Sequence, residues 1–143
     1  MENPPASPNQ TRAAAFGLVV AQGIALVYGL LADPFNLTWG LIVVGIVGGW
    51  IIGWAVAAGA FRGRFHLVVP AVRWLAVLLT IVAWIEATIV GYVGSQLFYQ
   101  GATTPLGERL SLTGFVEYLN GAVFSPSILG LAAMAIVAWR SAR

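Results

Sequence analysis

The sequence predicts an all-α integral membrane protein: a bundle of four transmembrane helices, with a short amphipathic helix in the loop between spans three and four. Two observations predict it. The 143 residues are 59% hydrophobic and 8% charged, about a third of the charge of an ordinary soluble domain. A soluble fold of this length has no interior large enough for so much apolar side chain, so the excess must face lipid or a partner. The apolar residues also gather into four long stretches, each near the ~20 residues that cross a bilayer. At this length one domain is expected.

Residues 1–12 (MENPPASPNQTR) hold three prolines and no apolar periodicity, which predicts a disordered tail. The transmembrane domain then occupies 13–143. Span one is placed at 13–32. Its apolar run is too long for a signal peptide, and a single Arg12 is a poor charged leader, so it reads as an uncleaved span. Asp33-Pro34-Phe35-Asn36 ends it. Span two is placed at 38–61, with Trp39 in its first turn, where an amphipathic ring suits the headgroup zone. The basic loop Arg62-Gly63-Arg64-Phe65-His66 follows.

Span three is placed at 71–98. Pro70 suits the first turn, because the N–H it lacks would have no helical partner there. The run is longer than a bilayer needs, which predicts a tilt or an interfacial start. Between spans three and four, Leu112, Phe115, Val116 and Leu119 fall at helical spacing opposite Thr113, Glu117 and Asn120. That pattern predicts an amphipathic helix on the membrane surface or capping the bundle. Span four is placed at 123–139, with Pro126 near its start.

Charge sets the orientation. With the N-terminus inside, Arg12, Arg62, Arg64, Arg73, Arg140 and Arg143 all lie on the cytoplasmic side, and only Arg109 lies outside. The positive-inside rule therefore puts both termini in the cytoplasm. All seven basic residues are arginine, as codon bias in a GC-rich genome would produce, and the expected location is a bacterial inner membrane.

The candidate chemistry centres on Glu86, a carboxylate within a run of apolar residues. Counted from Arg73 it is thirteen residues in, about 20 Å along the axis, past the midplane and toward the outer leaflet. Its same-face neighbours Leu79, Val82, Ala83, Ile89, Val90 and Val93 cannot pair with it, so its partner must come from another helix, another subunit or water. At matching depth Tyr28 on span one and Ser125 and Ser127 at the outer end of span four are the candidates. Gln22 is the one amide in span one. Glu86 has two competing readings: a hydrogen-bonded residue that holds helices together, or a proton- or cation-binding carboxylate. A polar path to it would come from the outer side, where span three carries Thr88, Tyr92, Ser95 and Gln96.

Gly45, Gly49 and Gly53 form a double GxxxG on one face of span two, a row that lets another helix approach backbone to backbone. The partner is expected inside the monomer first, and a second copy or another protein next. Trp50, Trp54 and Trp84 read as packing or lipid-facing bulk ahead of a cofactor box, and no cofactor is expected.

Several functions are excluded. With no cysteine there is no disulfide, thiolate chemistry or Cys-ligated metal, and one histidine, His66, cannot build a His-rich metal site. No metal site is expected. A net charge of +2 is too small and too localised for nucleic acid. No nucleophile–base set, carboxylate pair or phosphate loop is present, so the chain is not expected to be an enzyme. What remains is a non-catalytic accessory or structural subunit, with the lipid bilayer and a homo-oligomer or other membrane subunits as partners. The competing expectation is a small proton- or cation-coupled transporter or channel that uses Glu86 as an oligomer.

Overall fold

A computed structural model describes residues 7–32, 39–61, 68–98 and 105–143, and every element among them is helical. In order these are α1 (Gln10–Ala32), α2 (Gly40–Phe61), α3 (Pro70–Phe98), α4 (Leu106–Arg109), α5 (Leu112–Val123) and α6 (Ser127–Ser141). Residues 1–6 of the expected tail, the turn at Asp33–Asn36, the basic loop with Arg62, Arg64 and His66, and Tyr99 lie outside the described residues.

Four helices, α1, α2, α3 and α6, pack side by side. Helix α1 meets α2 and α3, α6 meets the same two, and α2 touches α3 across the middle. Pairs of close residues give the directions. Gly17 lies on Leu79 and Gly29 on Ala87, so α1 and α3 run the same way. Gly45 lies on Gly130, Gly49 on Met134 and Gly53 on Ala138, so α2 and α6 also run together. The two parallel pairs oppose each other. One end of the bundle therefore collects the start of α1 and α3 and the finish of α2 and α6, with Arg12, Arg73, Arg140 and Arg143.

Small residues make this packing possible. Ala13, Ala21 and Ala25 on α1 and Ala76, Ala83 and Ala87 on α3 are all buried, and the largest fully buried side chains are Ile52, Met134, Val56, Val72 and Thr80. The buried threonine hydroxyls satisfy themselves within their own helix. Thr80 donates to the Val77 carbonyl at 2.7 Å and Thr88 to the Trp84 carbonyl at 2.8 Å. Large apolar side chains point outward around the bundle, among them Val19, Val43, Trp50, Ile85 and Ile136, the inverse of a soluble surface.

Three helices, α1, α2 and α3, are long and apolar enough to cross a membrane. The fourth expected span departs from a straight helix over 123–139. Helix α5 ends at Val123, the chain bends by 67°, and α6 begins at Ser127, so only the bent pair is long enough to count as a crossing. The cause is local: Pro126 has no N–H with which to continue the α5 ladder, and Ser125 Oγ instead accepts from the Ser127 N–H at 3.1 Å to start α6.

The start of α1 also differs from the expected boundary. Gln10, Thr11 and Arg12 are helical, because Asn9 caps them: its Oδ1 accepts from the Arg12 N–H at 2.9 Å. Asn9 is tied down in turn, its N–H donating to the Ala60 carbonyl at 3.1 Å. Helix α3 starts at Pro70 as expected. Helix α5 matches the expected amphipathic segment, opened by a Ser111 cap whose Oγ accepts from the Gly114 N–H at 3.0 Å. It seats Phe115 and Tyr118 on Tyr92 of α3, with ring centroids 5.6 and 5.7 Å away. The Tyr92 hydroxyl also donates to the Ser111 carbonyl at 3.2 Å. The aromatic contact makes α5 a cap on the far end of α3.

Candidate functional site

The geometry at Glu86 follows from the parallel run of α1 and α3. Both count upward from the arginine end, so residues at similar count sit at similar depth. Gln22 is ten residues beyond Arg12, and Glu86 thirteen beyond Arg73. The structure brings them together: Gln22 Nε2 donates to Glu86 Oε1 and Oε2, each at 2.7 Å. The two oxygens of one carboxylate are close enough together for one N–H of an amide equidistant from them to serve both. Among the described residues no cation pairs with this carboxylate, and the distances are those of a strong hydrogen bond.

The pair lies at the outward edge of the α1–α3 seam. Gln22 is exposed and Glu86 half-buried. Around them stand Val19, Leu26, Val82, Ile85 and Ile89, all exposed. Gly23, beside Gln22, has nothing within 4 Å of where a Cβ would sit. Toward the arginine end the seam opens into a recess of about 440 Å³ between Gln10, Thr11, Ala14, Ala71, Trp74 and Leu75. Among the described residues, the amide–carboxylate pair is the polar feature of this face between the recess and the far end of the seam.

The other expected partners of Glu86 form a separate group on the opposite side of α3. Trp84 and Glu86 are two residues apart and so project in nearly opposite directions from the helix. Trp84 Nε1 donates to Ser127 Oγ at 3.0 Å. Tyr28, 3% exposed, reaches across the bundle, and its hydroxyl donates to the Ser127 carbonyl at 3.4 Å. Ser125 Oγ donates to the Ala122 carbonyl at 2.8 Å while accepting from Ser127. Tyr28, Ser125 and Ser127 thus bond to one another, to Trp84 and to the helix start, and their hydrogen bonds do not go to Glu86. Depth singled them out, but the face of α3 that meets α1 decided the partner. The signal that finds Gln22 is its place as the lone amide on a span parallel to span three.

The glycine row is used inside the chain. A Cβ on Gly45 would stand 2.5 Å from the Gly130 carbonyl oxygen and one on Gly53 2.6 Å from that of Ala138, while Gly49 sits directly on the Met134 carbonyl. These neighbours are backbone, which cannot turn aside as a side chain could. At the arginine end Arg73 lies over the Trp139 ring at 5.5 Å, and Trp74 meets the same ring edge-on at 5.0 Å. Arg73 is thereby held at the bundle end, far from Glu86. Trp50 and Trp54 are exposed on α2 and wall a recess of about 330 Å³ with Arg140 and Arg143. Among the described residues no three His, Asp or Glu side chains gather as a metal site would require. The chain matches no protein-family model, no curated protein and no solved structure.

Proposed function

We propose that this protein is a non-catalytic membrane component that works by assembling with other transmembrane segments through helix packing. The observation that supports this reading is the Gln22–Glu86 pair on the outward edge of the α1–α3 seam. An amide and a carboxylate within the apolar spans are costly against hydrocarbon, where nothing returns their remaining hydrogen bonds. Covering them with another helix removes that cost, as polar groups between membrane helices do elsewhere.

In this reading the chain sits in a bacterial inner membrane as a four-helix, multi-pass bundle with both termini in the cytoplasm, and the bent α5–α6 pair serves as the fourth crossing. The arginine end is the cytoplasmic end. The row Gly45, Gly49 and Gly53 acts as a glycine zipper that closes the monomer, which leaves the seam free for assembly.

The test is purification of the tagged full chain from its native host in nanodiscs, followed by native mass spectrometry. A stoichiometric assembly, with itself or with other subunits, is the expected result. A lone chain carrying only lipid would end the reading.

One observation favours a second reading, a small proton- or cation-coupled transporter or channel. Among the described residues no cation pairs with Glu86, and the carboxylate is half-exposed at the seam, within reach of a proton or small cation. Flux in proteoliposomes that disappears in Glu86→Gln would favour transport. Flux that persists in this variant would remove Glu86 from it.

A further inference from the structure

We infer that the α1–α3 seam is a two-fold interface with a second copy of this chain, closed by the Gln22 amides of the two copies. The inference rests on the assembly reading above and names its first occupant.

The argument begins with what Gln22 leaves unused. A carboxamide offers two N–H donors and one carbonyl oxygen. One N–H directed between Oε1 and Oε2 accounts for both contacts to Glu86. Among the described residues the other N–H and the carbonyl oxygen of Gln22 have no further partner. A carboxamide with one free donor and one free acceptor is complementary to itself. Two of them facing across a two-fold axis give each N–H to the other's oxygen.

Depth points to the same occupant. Copies inserted in the same orientation can be related by a two-fold axis along the membrane normal, and that axis brings each residue to the depth of its own counterpart. A second copy therefore presents an amide at the required level automatically, where an unrelated helix must supply one by coincidence. Glu86 then polarises both amides from behind, so the four polar groups form one closed cluster with no edge toward lipid.

The surface around the amide permits the approach. Val19, Gln22, Gly23, Leu26 and Leu30 are exposed along one stripe of α1 at spacings of three and four, the pattern of a helix-pairing seam. Gly23 lies in the middle of it with open space where a Cβ would be, which allows close backbone approach beside the amide.

The absence of cysteine in the chain makes the test direct. Single substitutions Val19→Cys and Leu26→Cys mark the seam, while Val43→Cys on α2 and Ile136→Cys on α6 mark other exposed faces. Val19 and Leu26 flank Gln22 one turn away on either side of it, and all four substitutions leave Gln22 and Glu86 themselves in place. The full-length variants are placed in phosphatidylethanolamine–phosphatidylglycerol vesicles at high lipid excess and oxidised with copper–phenanthroline. The expected result is a covalent dimer from the two seam variants, at least tenfold above the two controls. Adding Gln22→Leu with Glu86→Leu to the Leu26→Cys chain should reduce that yield by about 5- to 30-fold, the worth of an interhelical hydrogen bond.

Equal cross-linking on all faces, or dimer from the controls alone, would overturn the inference. So would an undiminished yield when both polar residues are replaced. If oxidation of Leu26→Cys in native membranes joins it to a different protein, the second copy is wrong while the assembly reading stands. If every variant remains monomeric in both settings, both are wrong.

Discussion

The two parallel helix pairs, α2 with α6 and α1 with α3, show opposite ways of joining helices. Between α2 and α6 the contact is backbone on backbone, through three glycines that meet three carbonyl-bearing residues. It contains almost no polar side chain, apart from Ser141 near Gly53. Between α1 and α3 the contact includes a side-chain hydrogen bond at its outward edge, and the surface beside it remains open. The motif that advertises association, the GxxxG row, is consumed within the chain. The isolated amide and carboxylate, which form no motif at all, mark the surface with bonds to spare. A small-residue row states that a helix packs closely and is silent on whose helix it meets. A polar group with unused donors and acceptors states what its partner must offer.

The contrast can be broken most sharply at Gly49. Gly49→Leu drives a branched side chain into the Met134 backbone and should cost about 3 kcal/mol, seen as a large fall in melting temperature in detergent. An unchanged melting temperature would mean that α2 and α6 do not meet at this row. Gly45→Ala adds only a methyl against the Gly130 carbonyl and should cost about 1–2 kcal/mol in the same assay.

A smaller effect is expected at the polar pair. A cycle of Gln22→Leu, Glu86→Leu and the double variant should give a coupling of about 0.6–1.7 kcal/mol within the monomer. Additive effects would show that the two side chains do not share a bond. The smallest effect belongs to Gly23→Ala, which meets open space and should leave monomer stability within ~0.5 kcal/mol of the parent. Comparing Gly23→Ala with Gly45→Ala isolates the difference between an open and an occupied glycine, since the chemical change is identical. Equal losses from the two would mean that the face around Gly23 is covered in the monomer as well.

Much of the architecture was legible in the sequence because hydropathy reports solvent directly. The three long helices, the start at Pro70 and the amphipathic stretch from Leu112 to Asn120 all follow from residue type and period, while the run of α5 on to Val123, placed in span four by hydropathy, does not. The ends were harder. The polar run Gln10-Thr11-Arg12 looks like a tail until Asn9 is seen to cap it and to bond to Ala60, a contact fifty residues away in the chain. The bend at Pro126 was missed: a proline in the first turn suits one straight span over 123–139, and whether the helix runs in line or at an angle to what precedes it depends on what it packs against. For the site, Glu86 stood out as a buried-depth carboxylate while its partner did not. Depth along a span can be counted from sequence at 1.5 Å per residue. The rotation of α3 that turns Glu86 toward Gln22 and Trp84 toward Ser127 is set by tertiary packing, which a count along one helix does not contain.

The order of the helices around the bundle bears on how the chain is made. Synthesis delivers α2 into the bilayer long before α6, yet α6 is what fills the glycine face of α2. Until α6 emerges, the chain has not yet made the backbone that covers Gly45, Gly49 and Gly53 in the folded bundle. Of the described helices Ser127–Ser141 is made after the other three of the bundle, and it is also the one that commits the α2 groove to its own chain. Stalled or shortened products that lack it would carry an unsealed backbone surface, which membrane chaperones and proteases are suited to detect.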